Sequence, residues 1–220
     1  MDLALALLTL LHLLIPIYWL GGDLGAFYSS RFLVDPKRTV PERLLALHIL
    51  NNIDMAPRTA LILTFPTGFT LAVMKGWLDV PGLTVIGVWV AGLAWLALAW
   101  TVHILHGPAG KTYKQIDLAV RYIVLAVLVA GGVAGLVGAV TLPLFIALKL
   151  LVLGFCIFVG LLVRRQLVPL IPAIVDLGKN GASPEGDKTI AGVLSVTQPT
   201  VMTLWAAVLV ASFLGIATPL

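Results

Sequence analysis

The chain has 220 residues, 60% of them apolar and 11% charged, against roughly 45–50% and 25% in a soluble domain. A mean hydropathy of +1.07 leaves too little polar surface to coat a water-soluble globule, which excludes a soluble enzyme, a nucleic-acid-binding module and a disordered chain. The net charge of +4 then reads as membrane topology, not as affinity for nucleic acid.

A spanning helix needs ~20 mostly apolar residues. Six segments qualify in chain order: 3–30, 44–75, 83–105, 116–141, 144–167 and 190–217. The expected fold class is all-α, a polytopic transmembrane helix bundle of about six spans forming one domain over 1–220. Asp35-Pro36, the stretch 79–82, Gly107-Pro108, Leu142-Pro143 and the polar loop 178–188 break the helices between spans. Met1-Asp2 leads into the first span with no basic region, so no removable signal peptide is read there. The single cysteine, Cys156, lies in an apolar run, so neither an intrachain disulfide nor a paired-cysteine zinc site is open to it.

Charge gives the orientation. Eleven of the fourteen basic residues fall in the odd-numbered loops: Arg31, Lys37, Arg38 and Arg43; Lys111, Lys114 and Arg121; Arg164, Arg165, Lys179 and Lys188. The other side has only Lys75. That pattern expects a multi-pass protein of the cytoplasmic (inner) membrane with both termini on the outer side.

An ionisable group within a span costs roughly 2.5–3.5 kcal/mol on insertion scales and is a functional candidate by default. His12, Asp23, His48, Asp54, Arg58, His103, His106 and Lys149 are the candidates. Entering from the outer side, His12 lies ~14 Å deep and Lys149 ~9 Å deep. They share the outer half and can meet if their helices are neighbours. The remaining candidates lie toward the positive face. His48, Asn51, Asn52, Met55 and Arg58 make one stripe at helical spacing. Asp54 and Arg58 have the i, i+4 spacing of an ion pair, and His106 sits at a helix end. On the first span His12, Pro16, Trp19 and Asp23 form a second stripe beside Gly21, Gly22 and Gly25. Gly21/Gly25 and Gly131/Gly135 are GxxxG pairs of the kind that lets helices approach. Pro57, Pro66 and Pro199 are expected to kink their helices.

Imidazole is the usual protein ligand of b-type haem iron, and facing helices can hold the macrocycle. His48 with His103 or His106 could sandwich one iron near the positive face; His12 then needs another partner or another role. One haem b is expected, two at most from four histidines. Arg31, Arg58 and Lys149 have the depth to pair with propionates. Copper transport would want several soft ligands, and the chain has one Cys and four Met. No ring of like charges or internal repeat suggests a channel or an inverted-repeat transporter.

The segment HLLIPIYWLGGDLGAFYSSRFLV (12–34) resembles the first helix of the HemJ-type protoporphyrinogen oxidases and the related CopD-like membrane domains. His12, Trp19, Gly22, Phe27, Tyr28 and Arg31 carry the likeness. LPLFIALKLLVLGF (142–155) is similar to that family's helix with an intramembrane lysine, here Lys149, and Arg58 and Pro66 in 55–72 resemble the Arg and Pro of its second helix. The resemblance implies a membrane haem protein with His12 and Lys149 as functional residues and Trp19 beside the cofactor. The family has fewer spans and does not account for His48, His103 and His106 as a group. The expected function is a membrane haem redox protein that transfers electrons or oxidises a quinol or porphyrinogen. The alternatives are a CopD-like metal transport domain, with His12, His48, His103 and His106 as metal ligands, and a non-catalytic membrane subunit. The bilayer is the one partner the composition requires; a homo-oligomer or a redox partner subunit is compatible with it, and nucleic acid is not.

Overall fold

The computed structural model describes residues 2–105 and 107–218. Helix α1 (Leu3–Val34) starts where the Asp2 carboxylate accepts the Ala4 N–H at 3.2 Å. Helix α2 (Val40–Ile53) starts at Thr39, whose backbone N–H donates to Glu42 at 2.8 Å. That bond, with the Thr39 hydroxyl, holds the Glu42 carboxyl below its ordinary range. Helix α3 (Met55–Met74) follows after the single residue Asp54. Then come α4 (Gly82–Ile104), α5 (Pro108–Leu136), α6 (Leu144–Gln166), α7 (Leu170–Asn180) and α8 (Pro184–Ala217).

The molecule is an all-helical transmembrane bundle. Helices α1, α4, α5, α6 and α8 are long and apolar enough to cross a membrane. The expected span 44–75 is instead two helices. Proline has no N–H, and its ring clashes with the carbonyl four residues back. For Pro57 that carbonyl belongs to Ile53, the last residue of α2. The rest of that span, α3, is twenty residues long, enough for ~30 Å. It is also the most enclosed helix, with nine residues buried, so its threonines and prolines meet protein more than lipid. The short amphipathic helix α7 was not expected from the sequence.

Helix α1 packs on α2, α3 and α8; α4 bridges α3 and α5; α6 packs on α5 and α8. Two ionic knots tie the basic face. Arg43, fully buried, donates to Leu33 O at 2.8 Å and to Asp187 at 2.7 Å, joining α1, α2 and α8. Asp117, 2% exposed, accepts from Trp95 at 3.2 Å, Arg121 at 2.9 Å and Arg164 at 3.2 Å, joining α4, α5 and α6. Asp117 spreads its charge over three hydrogen bonds, whereas Arg43 makes two and its Nη1 makes none among the described residues; hydrogen bonds of this kind offset the cost of burying an ion.

Glycines set the closest approaches, but at i, i+3 and not at the expected i, i+4. A methyl placed on Gly22 would come 2.7 Å from Ala56 Cβ, and on Gly25 3.3 Å from Ile53, whereas one on Gly21 meets nothing. On α5 the tight pair is Gly132 and Gly135, against Leu151 and Ala147 of α6.

Candidate functional site

At the face opposite the basic one, the N-terminal halves of α1 and α6 and the C-terminal halves of α3 and α8 surround a cavity of about 300 Å³. It exists because the backbones of α1 and α6 do not approach closely: each packs on α8, and α3 barely meets α6. The gap is left between two sub-bundles and opens into a wider groove. Pro16, Trp19, Phe65, Phe69, Trp77 and Phe145 supply much of its apolar wall.

Three basic side chains line it, His12 from α1, Lys149 from α6 and Lys75 from the α3–α4 turn, and no Asp or Glu does. His12 and Lys149, placed at matching depth by counting residues, thus face one space from helices that are not neighbours. His12 Nδ1 lies 2.7 Å from Thr67 Oγ1, and Thr67 is fully buried on α3. Lys149 Nζ lies 5.9 Å from the centre of the Phe145 ring. A methyl on Gly215 of α8 would come 2.6 Å from that nitrogen, so the glycine makes room for the amine. Lys75 Nζ lies 4.8 Å over Trp77, whose ring meets Phe145 edge-on at 4.9 Å. The turn that delivers both residues depends on Gly76 at φ 71, the left-handed conformation glycine adopts at little cost. Trp77 N then donates to Ala72 O at 2.9 Å and closes the turn.

The lysines have no carboxylate within 4.0 Å among the described residues. Two ammonium groups lining an apolar, acid-free cavity, Lys149 half-buried and Lys75 exposed, each near an aromatic face worth roughly 0.5–2 kcal/mol, make a receptor for an anion with an apolar body. Trp19, expected beside a cofactor, lines the cavity at 4% exposure. Cys156 is also on the wall.

The other candidates lie elsewhere. Asn52 bridges His48 and His103: its amide nitrogen donates to His48 Nε2 at 3.1 Å, and its oxygen accepts from His103 Nε2 at 3.2 Å. The structure therefore brings these two imidazoles together, across α2 and α4, apart from His12. Arg58 pairs with Asp54, as the i, i+4 spacing suggested. Arg31 is exposed at the end of α1. His106 lies outside the described residues. Asp23 is buried and accepts from Trp205 Nε1 at 3.0 Å. Among the described residues, no group of three or more His, Cys, Asp or Glu is clustered to hold a metal.

Sequence reasoning missed Thr67, Lys75, Trp77, Phe145 and Gly215. Lys75 carried a signal, as the only basic residue assigned to its side of the membrane. The others are visible only once α3, α6 and α8 are packed. Comparison of the chain with protein-family models, with curated proteins and with solved structures finds no match in any of the three.

Proposed function

We propose that the chain is an integral membrane b-type haem protein with redox function, its haem held in the cavity between α1 and α6. The observation that carries this reading is one apolar, aromatic-walled space holding an imidazole and two ammonium groups with no carboxylate in its lining. That donor set fits the group. His12 would hold the iron, and Lys149 and Lys75 would pair with the acid groups of the haem. The cavity's 300 Å³ is at the lower end of small-molecule pockets, so part of a tetrapyrrole would lie in the adjoining groove. When bound, haem supplies one-electron chemistry at its iron. The protein's own contribution is to hold the ligand imidazole, neutralise the acid groups and wall off water with Trp19, Phe65, Phe69 and Phe145.

Support also comes from the placement of the resemblance. The three segments similar to HemJ-type proteins, 12–34, 55–72 and 142–155, are the ones that contribute His12, Gly68 and Lys149 to this cavity. A cavity bordered by two helices whose backbones stand apart suits a substrate arriving through lipid, such as a quinol or porphyrinogen. With the basic face in the cytoplasm, the protein sits in the cytoplasmic membrane, and the cavity belongs to its outer half.

The test is an absorption spectrum of the detergent-solubilised protein, oxidised and reduced. A Soret band that is lost in His12→Ala and kept in His48→Ala and His103→Ala is expected. A wild-type protein with no Soret band, even after haem is supplied, ends the proposal.

A further inference from the structure

His12 and Thr67 share more than proximity. The Thr67 hydroxyl has one proton, and its oxygen lies 2.7 Å from Leu63 O and 3.2 Å from Thr64 O. Both carbonyls only accept, so the proton goes to them. The same oxygen is 2.7 Å from His12 Nδ1, and with its proton spent it has only lone pairs to offer the ring. Nδ1 must then carry the hydrogen and donate. In the neutral imidazole this leaves Nε2 as a bare lone pair, and Nε2 makes no hydrogen bond among the described residues.

The next residue shapes the space. A methyl placed on Gly68 would stand 3.1 Å from His12 Cε1 and 3.6 Å from Nε2. A side chain there would push the ring edge out of place, and the glycine lets the imidazole lie against α3.

We propose that Thr67 and Gly68 are the positioning residues of the site, with Thr67 locking His12 in the Nδ1–H tautomer and Gly68 seating the ring, so that Nε2 is the atom offered to the cavity's occupant. The inference rests on the reading of His12 as a ligand, yet it concerns a property of the protein that exists before any ligand binds. Ligating histidines are commonly held this way, by a hydrogen bond from the nitrogen that does not ligate. Here the holding group is a hydroxyl whose own proton is committed to its helix. Leu63, one helical turn back, thereby helps to decide which nitrogen of His12 is free.

The experiment is ¹⁵N NMR of the haem-free protein in detergent or nanodiscs, labelled at histidine, with His12 assigned from its loss in His12→Gln. Wild type should show a protonated, pyrrole-type Nδ1 and an unprotonated, pyridine-type Nε2. Thr67→Val, which removes the hydroxyl and keeps the shape, should shift the population toward the Nε2–H form or a mixture. Thr67→Ser should restore the wild-type pattern, and this excludes a mere packing effect. With haem supplied, Thr67→Val and Gly68→Ala should weaken retention roughly 10- to 100-fold, and Thr67→Ser should not. A protonated Nε2 in wild type, or a Thr67→Val spectrum identical to wild type, overturns the assignment. Failure of wild type to take up haem while the tautomer pattern holds overturns the haem reading and leaves the role of Thr67 standing.

Discussion

His12 and Lys149 line the same cavity, although the backbones of the helices that carry them do not approach closely. The two side chains therefore approach a common space from opposite walls. Neither can neutralise the other, since one is an imidazole and the other an ammonium. A cavity of this kind favours an occupant that brings both an acceptor for the lone pair of His12 and negative charge for the lysine.

The first prediction concerns coordination. Among the described residues, His12 is the one imidazole that lines the cavity and no methionine does; His48 and His103 are engaged with Asn52. A haem held by one imidazole leaves a coordination position for an exogenous ligand. Carbon monoxide should therefore shift the Soret band of the reduced wild-type protein. His12→Gly should lose the band and recover it when free imidazole is added. A reduced spectrum indifferent to carbon monoxide would mean that a second side chain closes the site.

The second prediction separates the two lysines. Hydrogen bonds to charged groups contribute roughly 1.5–3 kcal/mol, or about 10- to 100-fold in Kd. Lys149 lies within a span and should show the larger effect. Lys75 is exposed, so solvent screening places it at or below the low end. Titration of haem into Lys149→Gln and Lys75→Gln measures both. Gly215→Val should mimic Lys149→Gln, because its side chain takes the space now held by the amine. Equal affinity in all three variants and wild type would remove the lysines from the site.

Much of this arrangement was legible in the sequence, for reasons that also mark where legibility ended. Hydropathy found the crossing helices because hydrocarbon acts on every residue of a span. Residue counting placed His12 and Lys149 in the same outer half of the bilayer because helix rise is constant. Pro57 was expected to kink its helix, but hydropathy ran one span through it, because its effect is a missing N–H and a clash at Ile53, not polarity. Hydropathy also passed over α7, which is short and only half apolar. The glycine contacts moved from Gly21 to Gly22 because the facing side of α1 is decided by the partner helix. The role of Thr67 depends on where α1 sits against α3, and no spacing within either segment reveals it.

The third prediction tests the knot at the basic face. Arg43 is fully buried, and Asp187 keeps 27% side-chain exposure. Removing one partner of a buried pair leaves the other charge uncompensated, at roughly 3–5 kcal/mol. Asp187→Ala strands the guanidinium inside the protein and should fall near that range. Arg43→Met strands a carboxylate that can reach water and should cost less. The double variant should be less destabilised than the two single losses summed. Thermal or denaturant unfolding in detergent measures all three, and additive losses would show that the pair is not coupled.

The fourth prediction uses adjacent glycines as each other's control. In a helix, alanine is favoured over glycine by roughly 0.5–1 kcal/mol, so an unobstructed Gly→Ala change stabilises. Gly21 has that freedom, since a methyl there meets nothing within 4 Å. At Gly22 the methyl would stand 2.7 Å from Ala56 Cβ and 2.9 Å from Pro57 Cδ. Neither neighbour can yield easily: a Cβ is fixed to its backbone, and the proline ring is fixed to its own. Overpacking of this sort costs roughly 1–3 kcal/mol, which outweighs the gain in propensity. Gly21→Ala should therefore leave the unfolding midpoint unchanged or raised, and Gly22→Ala should lower it. Because α1 carries His12, displacement of α1 from α3 in Gly22→Ala should also loosen the His12–Thr67 contact and weaken haem retention, while Gly21→Ala retains haem as wild type does. The reverse order of stabilities would mean that α1 is rotated about its axis from the packing described, and the wall of the cavity would have to be redrawn.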